Sequence, residues 1–279
     1  MILRLPAGSW NRLIDYLKRI SFMQRHIKIF LVLILLFILD LNTKAMLIPS
    51  AVEENTGVSG TVFPNVPEPL HIDLVRPLGA KKGELEINTL GVIRLGDSNF
   101  SSSWGPEIEY VIKDSLAIEF ELPFENESLE ELKIAFQGTI SRSNDKKFIH
   151  GWQSIHKMKL NEIYSQHDLM YIHAYRINKK WSTISLSGFR QNLFNNEYST
   201  GLINNTSFFR HINSKTKLGL ETNWRLDKLA QRDSENVIAV IPQIHRELGE
   251  KYSLQIGTGF GRYEERFRPL LAMRLIWEL

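Results

Sequence analysis

The chain has 279 residues, no cysteine, and a formal net charge of +3 from 34 basic and 31 acidic residues. Without cysteine it holds no disulfide scaffold, thiolate metal site, cysteine nucleophile or lipid-anchored N-terminal cysteine. So small a basic excess excludes a nucleic-acid-binding stripe, and 43% hydrophobic residues is too few for a helical membrane protein but suits a membrane barrel, where every second strand residue faces the interior.

Eleven apolar residues run from Ile29 to Leu39, preceded by Arg25, His26 and Lys28 and followed by Thr43 and Ala45 at small-residue cleavage positions. This order of charged, apolar and small residues is that of a secretory signal peptide, expected over 1–45. A start at Met23 gives the signal ordinary proportions. The alternative is an uncleaved inner-membrane anchor lengthened by Ile27 and Met46–Ile48, since a spanning helix needs about 20 apolar residues.

Residues 46–83 form a leader rich in proline and glycine, with Pro64, Pro67, Pro69 and Pro77 against a long helix or a central strand. It is expected as a periplasmic extension reaching partly into a barrel mouth.

From Glu84 the hydrophobic period becomes two, the mark of strands with unlike faces. Leu116, Ile118, Phe120, Leu122 and Phe124 share one face, with Glu119 and Glu121 on the other. Leu132, Ile134 and Phe136 alternate in the same way with Lys133, Ala135 and Gln137, and Leu218, Leu220 and Trp224 with Lys217, Glu221 and Arg225. Twelve strands are expected, near 84–95, 106–113, 115–124, 131–142, 146–159, 167–177, 181–190, 197–211, 216–227, 236–247, 251–262 and 269–279. Pro242 suggests a bulge in the tenth. Links are expected to alternate between tight turns (Lys113–Ser115, Asn178–Lys180, Asn213–Ser214, Gly249–Glu250) and longer loops (Gly96–Gly105, Asn161–Gln166, Gln191–Asn196, Lys228–Glu235, Arg262–Arg268). That alternation belongs to membrane barrels with periplasmic turns and outer loops.

The last strand places Leu271, Met273, Leu275, Trp277 and Leu279 on one face up to the final residue. It resembles the closing strand of bacterial outer-membrane barrels, with the aromatic two positions before the end. The resemblance covers roughly 84–279 as a pattern and looks porin-like or channel-type. It implies a single closed antiparallel transmembrane β-barrel of about twelve strands in the outer membrane of a diderm bacterium, with both termini periplasmic, lipid around it and the barrel-insertion machinery as the reader of the last strand. A soluble periplasmic β protein with its apolar face inward is the competing architecture. Trp104, Trp152, Tyr171, Trp181, Trp224, Tyr252 and Trp277 fall near strand ends, as interfacial girdles require.

The charged candidates sit on the polar parity. Glu84, Glu86, Glu107, Glu109, Glu119 and Glu121 would line one wall of the lumen, and Lys133, Arg176, Arg190, Lys217, Arg225 and Arg274 lie mostly on later strands. Opposed walls of unlike charge would set a field across a pore; the alternative is that these charges pair and fill the lumen, or that the carboxylates hold a divalent cation. No cofactor, nucleic-acid or zinc signature stands out. Ser154 and His156 share a face with His150, which leaves a membrane-embedded lipid hydrolase open. The leading expectation is a passive channel for small solutes; the other is a non-conducting structural or interaction barrel.

Overall fold

The computed structural model describes residues 64, 66–72, 74–95, 100–195, 197–229, 236–263 and 266–279. The expected signal peptide, and the leader before residue 64, lie outside the described residues.

Twelve long strands close a single antiparallel barrel. They are β1 (Leu85–Leu95), β2 (Phe100–Lys113), β3 (Leu116–Glu121), β6 (Glu131–Arg142), β7 (Phe148–Lys159), β8 (Tyr164–Arg176), β9 (Trp181–Phe194), β10 (Glu197–His211), β11 (Thr216–Leu226), β12 (Asn236–Glu247), β13 (Tyr252–Tyr263) and β14 (Arg266–Glu278). A small hairpin of β4 (Phe124–Glu125) and β5 (Ser128–Leu129) extends β2 at one rim, pairing Trp104 with Phe124. Each long strand pairs with its neighbours in sequence, and β1 pairs with both β2 and β14, setting Ile87 between Ile108 and Trp277. That closure gives each of the twelve long strands a partner on both sides, which a hydrocarbon surround demands because unpaired backbone groups there cost several kcal/mol each. An even strand number brings the start of β1 and the end of β14 to the same rim, where Glu86 lies opposite Glu278.

The outer surface is apolar. Leu169, Phe189, Phe208, Leu220, Ile244, Phe260, Leu271, Met273 and Leu275 are all exposed, while Glu109, Glu119, Gln153, Glu221 and Arg274 are fully buried. This inversion of the usual soluble arrangement is the lipid-facing pattern. Trp104, Tyr171, Trp181, Trp224, Tyr252 and Trp277 also point outward, and Tyr252 stacks on Trp277 at 6.0 Å near the terminal rim.

Several local expectations are corrected. The second strand begins at Phe100, so much of the loop expected over Gly96–Gly105 is strand. The long links expected at Gln191–Asn196 and Arg262–Arg268 are likewise mostly strand, because β9 runs to Phe194 and β14 starts at Arg266. Ser and Asn in the first two stretches and charged residues in the third read as loop, but cross-strand pairing absorbs much of each. Loop length therefore alternates less than expected. Pro242 causes no bulge. It keeps register opposite Leu220, and only the ladder to β13 is interrupted between Val240 and Gln243. The register shifts lie instead at Val111/Lys113 and Thr139/Ser141.

The interior is not uniformly polar either. Met170, Ile172 and Ala174 of β8 and Ile184 and Leu186 of β9 point inward, leaving Thr183, Ser185 and Ser187 on the outer face. On that face Ser185 bonds Thr206 at 2.9 Å, and Asn204 donates to Ser187 at 2.7 Å. The apolar inward residues have a partner. They pack with Leu74, Val75, Leu78 and Ala80 of the segment preceding β1.

Candidate functional site inside the barrel

Residues 66–72 and 74–80 lie within the barrel. Groups from strands all round the wall bond this one short segment, which only a position near the axis permits. Glu221 of β11 accepts the backbone N–H groups of Leu70 at 2.7 Å, His71 at 3.1 Å and Ile72 at 3.2 Å. Gln137 of β6 accepts from Val75 N–H at 3.1 Å and donates to the Arg76 carbonyl. Thr139 accepts from Gly79 N–H at 2.8 Å, and Arg274 of β14 donates to the Pro69 carbonyl at 3.5 Å. Leu70 is fully buried against Val92, Ile241, Leu270 and Ala272. The prolines explain why the segment forms no strand of its own, and the wall supplies the partners its buried N–H groups need.

The segment enters at the rim shared by the termini. Gly83 N–H donates to Val111 carbonyl at 2.9 Å and Ser115 N–H to Ala80 carbonyl at 2.9 Å, tying the entry to the β2–β3 turn. Gly79 and Gly83 take φ of 87° and 91°, which glycine adopts without a Cβ penalty.

Five of the six acidic candidates gather on adjacent strands, and Glu84 directly precedes β1. Glu86 stands opposite Glu109, Glu109 opposite Glu119, and Glu107 opposite Glu121. Like charges so placed repel unless cations intervene, and two do. Arg76, from the inner segment, reaches Glu86, Glu84 at 3.2 Å and Glu109 at 4.0 Å. Lys133 of β6 reaches Glu121, Glu119 at 2.7 Å and Glu107 at 3.7 Å. The Asn88 amide joins Glu86 at 3.1 Å to Glu109 at 2.6 Å. Glu107, Glu109 and Glu119 bring carboxylate oxygens within 4.8 Å of one another, a spacing that suits a divalent ion. Here Lys133 and Arg76 supply the positive charge beside them.

The basic candidates meet separate local partners. Arg190 holds Asp168 through two bonds of 2.8 and 2.7 Å. Arg225 bonds Asp227 at 2.7 Å, and Lys217 pairs with Glu247. Arg176 donates to the Lys179 carbonyl at 2.7 Å and lies against His211. Arg274 is fully buried, 4.0 Å from Glu68 of the inner segment. Two facing walls of unlike charge are therefore not what the contacts describe. The charges compensate locally, with Arg76 reaching from the inner segment to the wall and Arg274 from the wall towards Glu68.

Sequence reasoning missed Glu221, whose neighbours Asn205 at 2.6 Å, Asn223 at 3.1 Å and Gln243 at 3.3 Å all donate to it. Its parity on β11 marked it as inward, but nothing local marked it as the receiver of a distant backbone. Ser154 and His156 sit on the outward face, with Ser154 opposite Phe136 and Leu169 and the His156 ring 6.1 Å from His167. The serine–histidine bonds found among the described residues are Ser141–His150 and Ser182–His211, at 2.9 and 2.8 Å.

A closed twelve-stranded antiparallel barrel, apolar outside and charged within, defines a porin-like barrel of the bacterial outer-membrane type. The chain superposes on an outer membrane channel from Pseudomonas putida F1 with a TM-score of 0.58 at 12% identity, over 75% of this chain and 100% of that one. NanC porin gives 0.57 at 9% identity over 69% and 100%, and KdgM porin 0.51 at 6% over 70% and 99%. At these identities the likeness is one of fold. The chain belongs to the HAEPLYID-like family, whose model matches residues 65–278. Read in one-letter code, that family name coincides with Glu68, Pro69, Leu70, Ile72 and Asp73 of the sequence. No curated protein sequence matches the chain.

Proposed function

We propose that this protein is a porin-like outer-membrane channel for small solutes, closed by its own residues 66–80 and opened when they withdraw. The barrel lies in the outer membrane with both termini periplasmic, so the segment enters from the periplasmic rim. The observation that carries this reading is what fills the interior. A barrel filled by its own wall side chains has nothing to remove. Here a length of main chain, held by hydrogen bonds and ion pairs, occupies the axis. Its withdrawal leaves a bore wide enough for a peptide backbone with side chains.

The absence of cysteine gives a direct test. A Cβ at Gly257 would meet Leu70 Cδ2 at 2.6 Å, so the two positions adjoin and Leu70→Cys with Gly257→Cys is the pair to oxidise, with the bridge verified by mass spectrometry before recording. The oxidised protein in planar bilayers should pass no current, and reduction should restore the openings of the parent chain. No current in either state, or in the parent at any voltage, rules the channel out in favour of a non-conducting barrel.

A further inference from the structure

The geometry points to the barrel interior being a binding site for an arginine-containing peptide, with residues 66–80 as its tethered occupant. This rests on the plugged-channel reading for the movement of the segment, and it adds the chemical class of what the vacated interior takes.

Three features carry it. First, the wall reads main chain more than side chain. Glu221 takes three consecutive N–H groups, Gln137 takes the N–H of Val75 and the carbonyl of Arg76, and Thr139 takes the N–H of Gly79. Any peptide presents those groups, so these bonds do not depend on the sequence of the occupant. Second, one side chain is read specifically. Arg76 meets Glu84 through one terminal guanidinium nitrogen and Glu86 and Glu109 through the other, and the planar fork matches carboxylates in a way a lysine does not. Third, apolar wall flanks that position. Leu74, Val75 and Leu78 pack with Ile149, Ile172, Ile184, Leu186 and Phe209. An occupant with aliphatic residues on both sides of an arginine therefore satisfies the whole site. A tethered segment acts at an effective concentration on the order of millimolar, so a free peptide competes only when the tethered copy is weakened.

The test uses the full-length protein in detergent micelles and a fluorescein-labelled peptide of residues 66–80, read by anisotropy. Arg76→Ala weakens the tethered copy and leaves the wall unchanged; Leu74→Asp does so by a different contact. Both variants should bind the peptide saturably, and the parent should not. Replacing the arginine of the peptide by alanine, or adding Glu86→Gln and Glu109→Gln to the Arg76→Ala chain, should weaken binding at least tenfold. Failure of both weakened variants to bind the peptide overturns the inference, as does equal binding of the alanine peptide. Binding without current in the bilayer assay sinks the channel and keeps the peptide site; current without binding does the reverse.

Discussion

Glu221 and Leu70 lie 151 residues apart in sequence, and the carboxylate of one accepts the backbone N–H of the other at 2.7 Å inside the barrel. The same carboxylate also receives His71 and Ile72, so a single charged group holds a turn of main chain at the axis. Charge-assisted bonds of this kind are stronger than neutral ones.

Replacing Glu221 by Ala should loosen the inner segment without opening the barrel. Three buried N–H groups lose their acceptor, together with the amides of Asn205, Asn223 and Gln243. The docked state should weaken by about 3 kcal/mol, or roughly 100-fold in opening. Hydrogen exchange at 66–80 should accelerate accordingly while strand amides stay protected. Unchanged exchange at Leu70–Ile72 would contradict the role given to this carboxylate.

Gly257 leaves the space that Leu70 fills. An added Cβ would come within 2.6 Å of Leu70 and 2.7 Å of Ile241. Gly257→Phe should therefore expel the segment by volume, since a packed interior yields little. The expected result is larger and more frequent channel openings than in the parent, with far-UV circular dichroism unchanged.

Met273→Arg separates a lipid-facing surface from a water-facing one. Met273 is 51% exposed, so in a water-soluble β protein the change would cost nearly nothing. On the lipid face near the bilayer midplane it should cost about 2–4 kcal/mol. Folding yield into lipid vesicles, followed by gel mobility, measures the difference, and an unchanged yield would argue against lipid contact there.

Two residues on opposite faces of β9 should respond to different degrees. Leu186 is fully buried and packs in the cluster that holds the inner segment, whereas Phe189 is 58% exposed outside. Leu186→Ala should create an interior cavity and cost about 2–5 kcal/mol in stability to urea. Phe189→Ala leaves no cavity and should cost distinctly less.

Much of the barrel was legible in the sequence because period two survives wherever a strand separates lipid from a polar interior. The alternation along β3 needed no structure: Ile118 and Phe120 pair with Tyr110 and Ile108 on one face, and Glu119 and Glu109 meet on the other. The apolar parity of Leu271, Met273, Leu275 and Trp277 likewise fixed which side of β14 faces out. The acidic residues of β1, β2 and β3 were placed together because consecutive strands in an antiparallel barrel are neighbours.

Where the strands stopped and what occupied the interior were decided by tertiary contacts. Ile184 and Leu186 are as oily as the lipid-facing residues; the parity of Arg190 marks their side of β9 as inward, but nothing near them in sequence says why an apolar surface is wanted there. It is wanted because Leu74, Val75 and Leu78 supply an apolar surface on the axis, which exists only once a distant segment has entered the barrel. The partner of Glu221 was hidden for the same reason. A main-chain N–H has no sequence signature, so the residues that bind it become recognisable only when folding brings the two together.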